Sequence, residues 1–156
     1  GRRGLLGYVR LSLLELRRFR PPRVVLEAGG ETVGIDAFVV TFANGPQYGS
    51  GAVVSPGGRL DDGRLETVVF EAGPLWRTLA AAPRMFLGGL ERCAGYRRFS
   101  AASAIVTTPS PVPVHRDGDP EAPVDRVEVR LRPRALEVVV PAAPLADPAG
   151  PLSARP

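Results

Sequence analysis

The chain has 156 residues, a net charge of +4 and 20 basic residues, every one of them arginine. An apolar share of 44% and a charged share of 23% are those of an ordinary one-domain globular protein with a real core. No stretch reaches the ~18 apolar residues that a membrane-spanning helix needs, which excludes that class.

Glycine (18) and proline (17) together make about a fifth of the chain, so many turns and short strands are expected rather than long helices. Arginine forks suit phosphate and lipid headgroups. The single asparagine, Asn44, and the abundance of Ala, Gly, Pro and Arg fit codon bias in a GC-rich genome equally well. Cys93 is alone, so no internal disulfide forms, and a reducing compartment is expected. The start, Gly1-Arg2-Arg3-Gly4-Leu5, lacks the long apolar core and cleavage site of a signal peptide. It also lacks an initiating methionine, as expected of a fragment or processed piece.

Leu5 to Phe19 reads as an amphipathic helix, with Leu5, Val9, Leu13 and Leu16 at helical spacing. Pro21-Pro22 ends it. Arg23 to Ala28 is a short strand, Gly29-Gly30 a turn, and Val33 to Ala43 the returning strand of a hairpin. A long loop from Asn44 to Arg64 follows. Leu65 to Phe70 is a strand. Pro74 opens a helical stretch, Leu75 to Leu90, that Pro83 should kink or split, with Leu75, Leu79, Ala82 and Phe86 on one side. Phe99 to Thr107 reads as a strand. Val112 to His115 leads into an Asp-Gly-Asp turn. Arg126 to Arg132 alternates, with Val127, Val129 and Leu131 on one face, and Ala135 to Val140 is the last strand. Residues 142–156 form a Pro/Ala-rich tail with little to bury, expected to be disordered. Six or seven short strands with two helical segments predict a mainly β protein, an antiparallel β-sandwich.

Three features suggest chemistry. Asp61-Asp62-Gly63 is a common turn sequence, because glycine accepts positive φ and a carboxylate can bond the local backbone. It is also a plausible site for a hard cation, which takes carboxylates, bared carbonyls and water. Asp117-Gly118-Asp119 reads as a hairpin turn, or as a carboxylate on a rigid support that accepts a substrate proton. Tyr48-Gly49-Ser50-Gly51 could let backbone approach a phosphate, but it matches neither a Walker loop nor a dinucleotide fingerprint. His115 has no nucleophile elbow to serve and reads as a strand residue. The pairs Arg17-Arg18 and Arg97-Arg98 read as solvated faces or as contacts to anionic lipid.

Taken in order, these pieces resemble the diacylglycerol/sphingosine kinase-like lipid kinases, in particular the bacterial branch. The resemblance runs from Gly4 to Pro141. It rests on Arg3-Gly4-Leu5-Leu6-Gly7-Tyr8, on Ala43-Asn44-Gly45 with the glycine run, and on Ser55-Pro56 with Leu60-Asp61-Asp62-Gly63-Arg64-Leu65. Asp117-Gly118-Asp119-Pro120 and Ala135-Leu136 to Val140-Pro141 complete it. The family has an N-terminal ATP-binding domain with a Gly-Gly-Asp-Gly-Thr motif and a C-terminal β-sandwich. This chain has no such motif and resembles the C-terminal domain alone, residues 1–141, without that domain's first strand.

The resemblance implies that Asp62 binds Mg²⁺ with the backbone carbonyls of Arg59 and Arg64. It implies that Asp117 and Asp119 help deprotonate a lipid alcohol that attacks the γ-phosphate of ATP, the acidic turns meeting across the gap between domains. ATP would be held mainly by the N-terminal domain. The partners implied are a lipid alcohol, that domain and the membrane surface, with no nucleic acid. The place implied is the cytoplasm, peripheral at most at the inner face of the membrane. Asp119 stands where the family usually has Glu, and Ser50 and Gly58 replace the usual Gly and Ala. A displacement of about 1 Å can cost on the order of 100-fold in rate. A non-catalytic lipid- or membrane-binding module, and a sandwich whose acidic turns are merely structural, are the competing readings.

Overall fold

A computed structural model of the chain describes residues 14, 16–49, 51–139 and 152. Among these, β1 is Arg23–Ala28, β2 Glu31–Ala43, β3 Gln47–Gly49 and β4 Ala52–Val53. β5 is Leu65–Glu71, β6 Tyr96–Ala101, β7 Ser103–Arg116 and β8 Asp119–Arg130. Residues 14 and 16–18 are helical (α1). α2 is Leu75–Ala81 and α3 Arg84–Leu87, followed by a 3-10 turn at Leu90–Arg92.

All strand pairs are antiparallel, in the order β6-β5-β2-β1-β7-β8, with β3 and β4 as a separate small hairpin. The 13-residue β2 belongs to both layers. Its first half pairs with β1, from Ala28↔Glu31 to Arg23↔Asp36. Its second half pairs with β5, from Ala37↔Glu71 to Ala43↔Glu66, after a slip in register between Ala37 and Val39. Such irregularities bend a strand, and here the bend carries β2 from one layer to the other. The chain crosses again at Ala102, between β6 and β7.

The core fills the space between the layers. Val24, Leu26, Ala28, Ile35, Ala37, Ala104 and Val106 come from one side and Val69 from the other, with Val40, Phe42, Phe99 and Ala101 against them. β1 shows why the sequence specifies this. Its burial alternates strictly, Val24, Leu26 and Ala28 in, Arg23, Val25 and Glu27 out, as a pleat with period two requires. β5 breaks the rule, because Leu65 to Val69 are all buried. One face meets the core through Val69. The opposite face lies under residues 44–64, which are tied down by Tyr96 OH donating to the Val54 carbonyl (3.2 Å) and Arg98 to the Pro56 carbonyl (2.6 Å).

The β-sandwich expectation holds, as do the first hairpin, the strand at 65–70 and the split at Pro83. Several expectations change. The single strand from Phe99 to Thr107 is two, because Ala102 is the corner between layers. The loop from Asn44 to Arg64 contains the β3–β4 hairpin. Ala135 to Val139 is not a strand. Its β-branched sequence has propensity, but strands are stabilised by partners, and none pairs with it among the described residues. Leu79, Ala82 and Phe86 face solvent instead of a core, while Ala81 is buried. Of the predicted helix Leu5–Phe19 only residues 14 and 16–18 are described as helical. The rest of that segment up to 13, Ser50, Val140 and the tail apart from Leu152 lie outside the described residues.

Candidate functional site

The first acidic turn follows the small hairpin and precedes β5. Gly63 has φ +71, which a side chain would resist. That conformation lets Asp62 close an Asx-type turn, its Oδ1 accepting the Arg64 backbone N–H at 2.9 Å. Asp61 and Asp62 are both exposed.

Arg64 fastens the turn to the sandwich. Its Nε donates to Ser100 Oγ (2.7 Å) and a terminal nitrogen to the Ser100 carbonyl (3.0 Å). Ser100 Oγ in turn donates to Glu66 Oε1 at 2.8 Å. The other carboxylate oxygen of Glu66 faces Arg98 Nε at 3.4 Å, and Arg98 also holds the Pro56 carbonyl. The chain Arg64–Ser100–Glu66–Arg98–Pro56 thus clamps both ends of residues 56–64 to the back of β5 and β6. Sequence reading missed it. The signal was Glu66 in a strand whose neighbours are apolar, opposite Ser100 and diagonal to Arg98.

The second acidic turn caps the β7–β8 hairpin. Asp117 (φ +51) and Gly118 (φ +98) form a two-residue turn between the paired Arg116 and Asp119, the backbone that Asp-Gly favours in tight hairpins. β7 pairs with β1 only from Ala104 to Thr107. Beyond Thr107 the two strands pair only with each other, and residues 109–126 are exposed except for the half-buried Val112 and Val114. The hairpin is therefore an arm. Its root carries a wide bulge, with four residues between Thr107 and Val112 against one between Arg126 and Val124. Thr108 Oγ donates there to the Ser110 carbonyl (2.9 Å), with the Asp125 carbonyl at 3.3 Å.

The two turns sit on different elements, and no hydrogen bond or ion pair joins them among the described residues. The Asp62 turn is bound to Ser100, three residues before β7 begins, and Asp117 follows the last residue of that 14-residue strand. At ~3.3 Å per residue the strand between them is on the order of 40 Å of contour. Arg59 is half-buried and its guanidinium donates to the Leu152 carbonyl. Its own carbonyl lies in the loop between the clamped ends. In the glycine run, Tyr48 is exposed in β3 and Gly51 turns the small hairpin. His115 is an exposed residue of the arm, and Cys93 is half-buried and free.

A hard cation takes oxygen ligands, and Mg²⁺ commonly keeps several waters with one or two carboxylates. The Asp62 carboxylate, held by a turn that exposes backbone oxygens, fits that donor chemistry in kind. No group of three or more acidic, His or Cys side chains that could hold a metal occurs among the described residues, so such a cation would depend on carbonyls, water and phosphate oxygens. No helix among the described residues is long and apolar enough to cross a membrane.

A family model described as the YegS C-terminal NAD kinase beta sandwich-like domain matches residues 2–140. Among solved structures, the chain is similar to a "putative diacylglycerol kinase" from Bacillus anthracis str. Sterne. The identity is 19% and the TM-score 0.57, over 81% of this chain and 46% of that one. A second structure of a protein so described from the same organism is 17% identical with a TM-score of 0.54, over 76% of this chain and 41% of the other. A third, a diacylglycerol kinase of that organism, is 19% identical with a TM-score of 0.50, over 75% and 40%. At these identities the likeness is one of fold. The chain spans less than half the length of these solved structures. No curated protein matches it.

Proposed function

The chain belongs to the YegS C-terminal, NAD kinase β-sandwich-like domain family, and from that premise we propose that it is the sandwich half of an ATP-dependent lipid kinase. The observation that carries this reading is the arm. The sandwich completes its core without residues 109–124, yet the chain builds a long proline-punctuated hairpin that carries two carboxylates at its tip. Such a tip is suited to reach a cleft formed with a companion nucleotide-binding domain.

In this reading the Asp117 carboxylate takes the proton of the lipid hydroxyl as its oxygen attacks the γ-phosphate of ATP. Asp119, two residues on at the other side of the same turn, would assist in taking that proton. Phosphoryl transfer depends chiefly on positioning and charge stabilisation, which a firm two-residue turn provides. Asp62, with the Arg59 and Arg64 carbonyls, would hold Mg²⁺. That ion, when bound, supplies positive charge against phosphate oxygens. The clamp through Ser100, Glu66 and Arg98 keeps those carbonyls in place. The two acidic turns, carried on different elements of this domain, would act together across the gap to the companion domain. The substrate class is a membrane lipid alcohol, and the place of action the membrane surface facing the cytoplasm.

The test is transfer of labelled phosphate from ATP to a lipid extract by the full-length parent protein. Asp117→Asn should lower the rate by about 10²- to 10⁴-fold, the range for loss of a general base, with little change in fold. Asp62→Ala should raise the Mg²⁺ concentration needed for half-maximal rate. Full activity in Asp117→Asn would refute the assignment of the base. Vesicle binding by the parent without any transfer would favour the non-catalytic module.

A further inference from the structure

Outside the acidic turns, one surface stands out. α2 and α3 expose Trp76 (66%), Leu79 (49%), Phe86 (62%) and Leu87 (84%). Trp76 and Leu79 are three apart and share a helix face. Ala82 and Pro83 both keep helical dihedrals, so α3 continues the winding of α2 through a tight turn, with Met85 N–H bonded to the Ala82 carbonyl and Phe86 N–H to that of Pro83, and Phe86 falls seven residues, two turns, beyond Leu79. Large exposed apolar groups so grouped mark a docking surface rather than ordinary surface.

The charges on the two helices themselves are of one sign. From Ala72 to Leu90 there is no acidic residue, while Arg77 stacks on Trp76 (5.9 Å from the ring centroid) and Arg84 opens α3. Beside α2 a groove is lined by Leu75 and Thr78 together with Arg17 and Phe19 of the neighbouring segment, where Arg18 and Arg20 are also exposed, and its one lining carboxylate, Asp36, is paired with Arg23. Aromatic and leucine side chains bordered by arginines are the composition of helices that lie in the interface of an anionic bilayer. A second copy of the chain would bring the same arginines against these, and the net charge of +4 repels it.

We propose that α2 and α3 form the membrane-docking face of this domain, inserting Trp76, Leu79, Phe86 and Leu87 among the acyl chains of an anionic lipid surface while Arg77 and Arg84 meet its headgroups. The inference deepens the lipid kinase reading and rests on it only for why the domain needs a membrane.

Trp76 is the only tryptophan of the chain, so its fluorescence reports this face alone. Vesicles of phosphatidylcholine with a third phosphatidylglycerol should shift its emission to the blue and carry the chain down on sedimentation. Pure phosphatidylcholine vesicles should bind at least tenfold less. The double variant Phe86→Ser, Leu87→Ser should lose tenfold or more of the partitioning, with circular dichroism unchanged. The single variant Leu87→Ser, at the most exposed of these positions, should lose a smaller part. Arg77→Gln with Arg84→Gln should erase the preference for phosphatidylglycerol.

No emission shift and no sedimentation with anionic vesicles would overturn the proposal. So would binding unaltered in the serine variants, or a concentration-dependent dimer that those variants dissociate in the absence of vesicle binding. Emission already blue-shifted in the lipid-free parent and restored to the red in the isolated chain would overturn it as well, by giving the face to the companion domain. The two readings fail separately. A parent that phosphorylates short-chain lipid in solution, with a chain that ignores vesicles, removes only the docking face. A chain that binds vesicles as described, with a parent inactive on every lipid, removes only the kinase.

Discussion

Glu66 is a carboxylate with 6% exposure, the second residue of β5. Charges so placed are kept only when paired and hydrogen-bonded, and Ser100 and Arg98 do both. Its position in the sequence hides this. An alternating strand should turn Glu66 to water, and only the loop that leads into β5, folded back over that face, makes it interior. Tyr96 reports on the same loop from the other side. Burial pushes its phenol above the ordinary value, outweighing the opposing pull of the Arg98 guanidinium, while Glu66 and Glu91 add to the rise. A raised phenol pKa means that folding favours the protonated ring. The stability so gained is fully present below about pH 10 and is lost as the pH climbs through the folded value, where the bond to the Val54 carbonyl loses its proton. Tyr96→Phe should therefore cost about 1 kcal/mol at neutral pH, the value of one hydrogen bond. The deficit should shrink as the pH rises above the ordinary tyrosine value of about 10, and one tyrosine should be lost from the tyrosinate absorbance titration. A pH-independent deficit in urea unfolding would count against this account.

Elements were legible where a local signal set them. β1, the first hairpin and the strand at 65–70 follow from period-two alternation and from Gly29-Gly30, and Pro83 divides the helical stretch as its missing N–H demands. The corner at Ala102 was not legible. The run Phe99-Ser100-Ala101-Ala102-Ser103-Ala104 contains no glycine or proline to mark a turn, and the chain changes layer because its hydrogen-bond partner changes from β5 to β1. Ala135–Val139 is the converse, a strand-like sequence whose partner is what it lacks among the described residues. Of the candidate site, each acidic turn was legible by its Asp-Gly pair, but the arm that carries the second one was not, because its length depends on where β7 leaves β1 and how far it runs with β8. The alternation of β1 yields a direct contrast. Leu26 has no exposed surface, so Leu26→Ala should cost about 2–5 kcal/mol. Its neighbour Val25 points outward, and Val25→Ala should stay within about 0.5 kcal/mol. Equal losses in denaturant titrations of the two variants would mean that the core does not lie between the layers as described.

At the scale of the whole molecule, the domain divides into a sandwich that holds itself together and an arm that does not help it. The buried cluster draws on β1, β2, β5 and the first four residues of β7, and on nothing past Val106. Past the bulge, Pro109, Pro111, Pro113, Pro120 and Pro123 withhold backbone donors from the arm's edges, which keeps an exposed ribbon from pairing with other chains. A ribbon protected against pairing and unattached to the core is suited to presenting its tip. Excising residues 109–124 and joining Thr108 to Asp125 through Asn-Gly preserves the Thr107↔Arg126 pair and supplies a turn that fits two antiparallel strands. The shortened chain should melt within about 4 °C of the intact one, equivalent to about 1 kcal/mol for a protein of this size. In the full-length parent the same excision should abolish phosphate transfer to lipid while leaving vesicle binding through α2 and α3 untouched. Loss of cooperative melting on excision would show instead that the arm is part of the sandwich, and would remove the argument that its acids exist to reach a substrate.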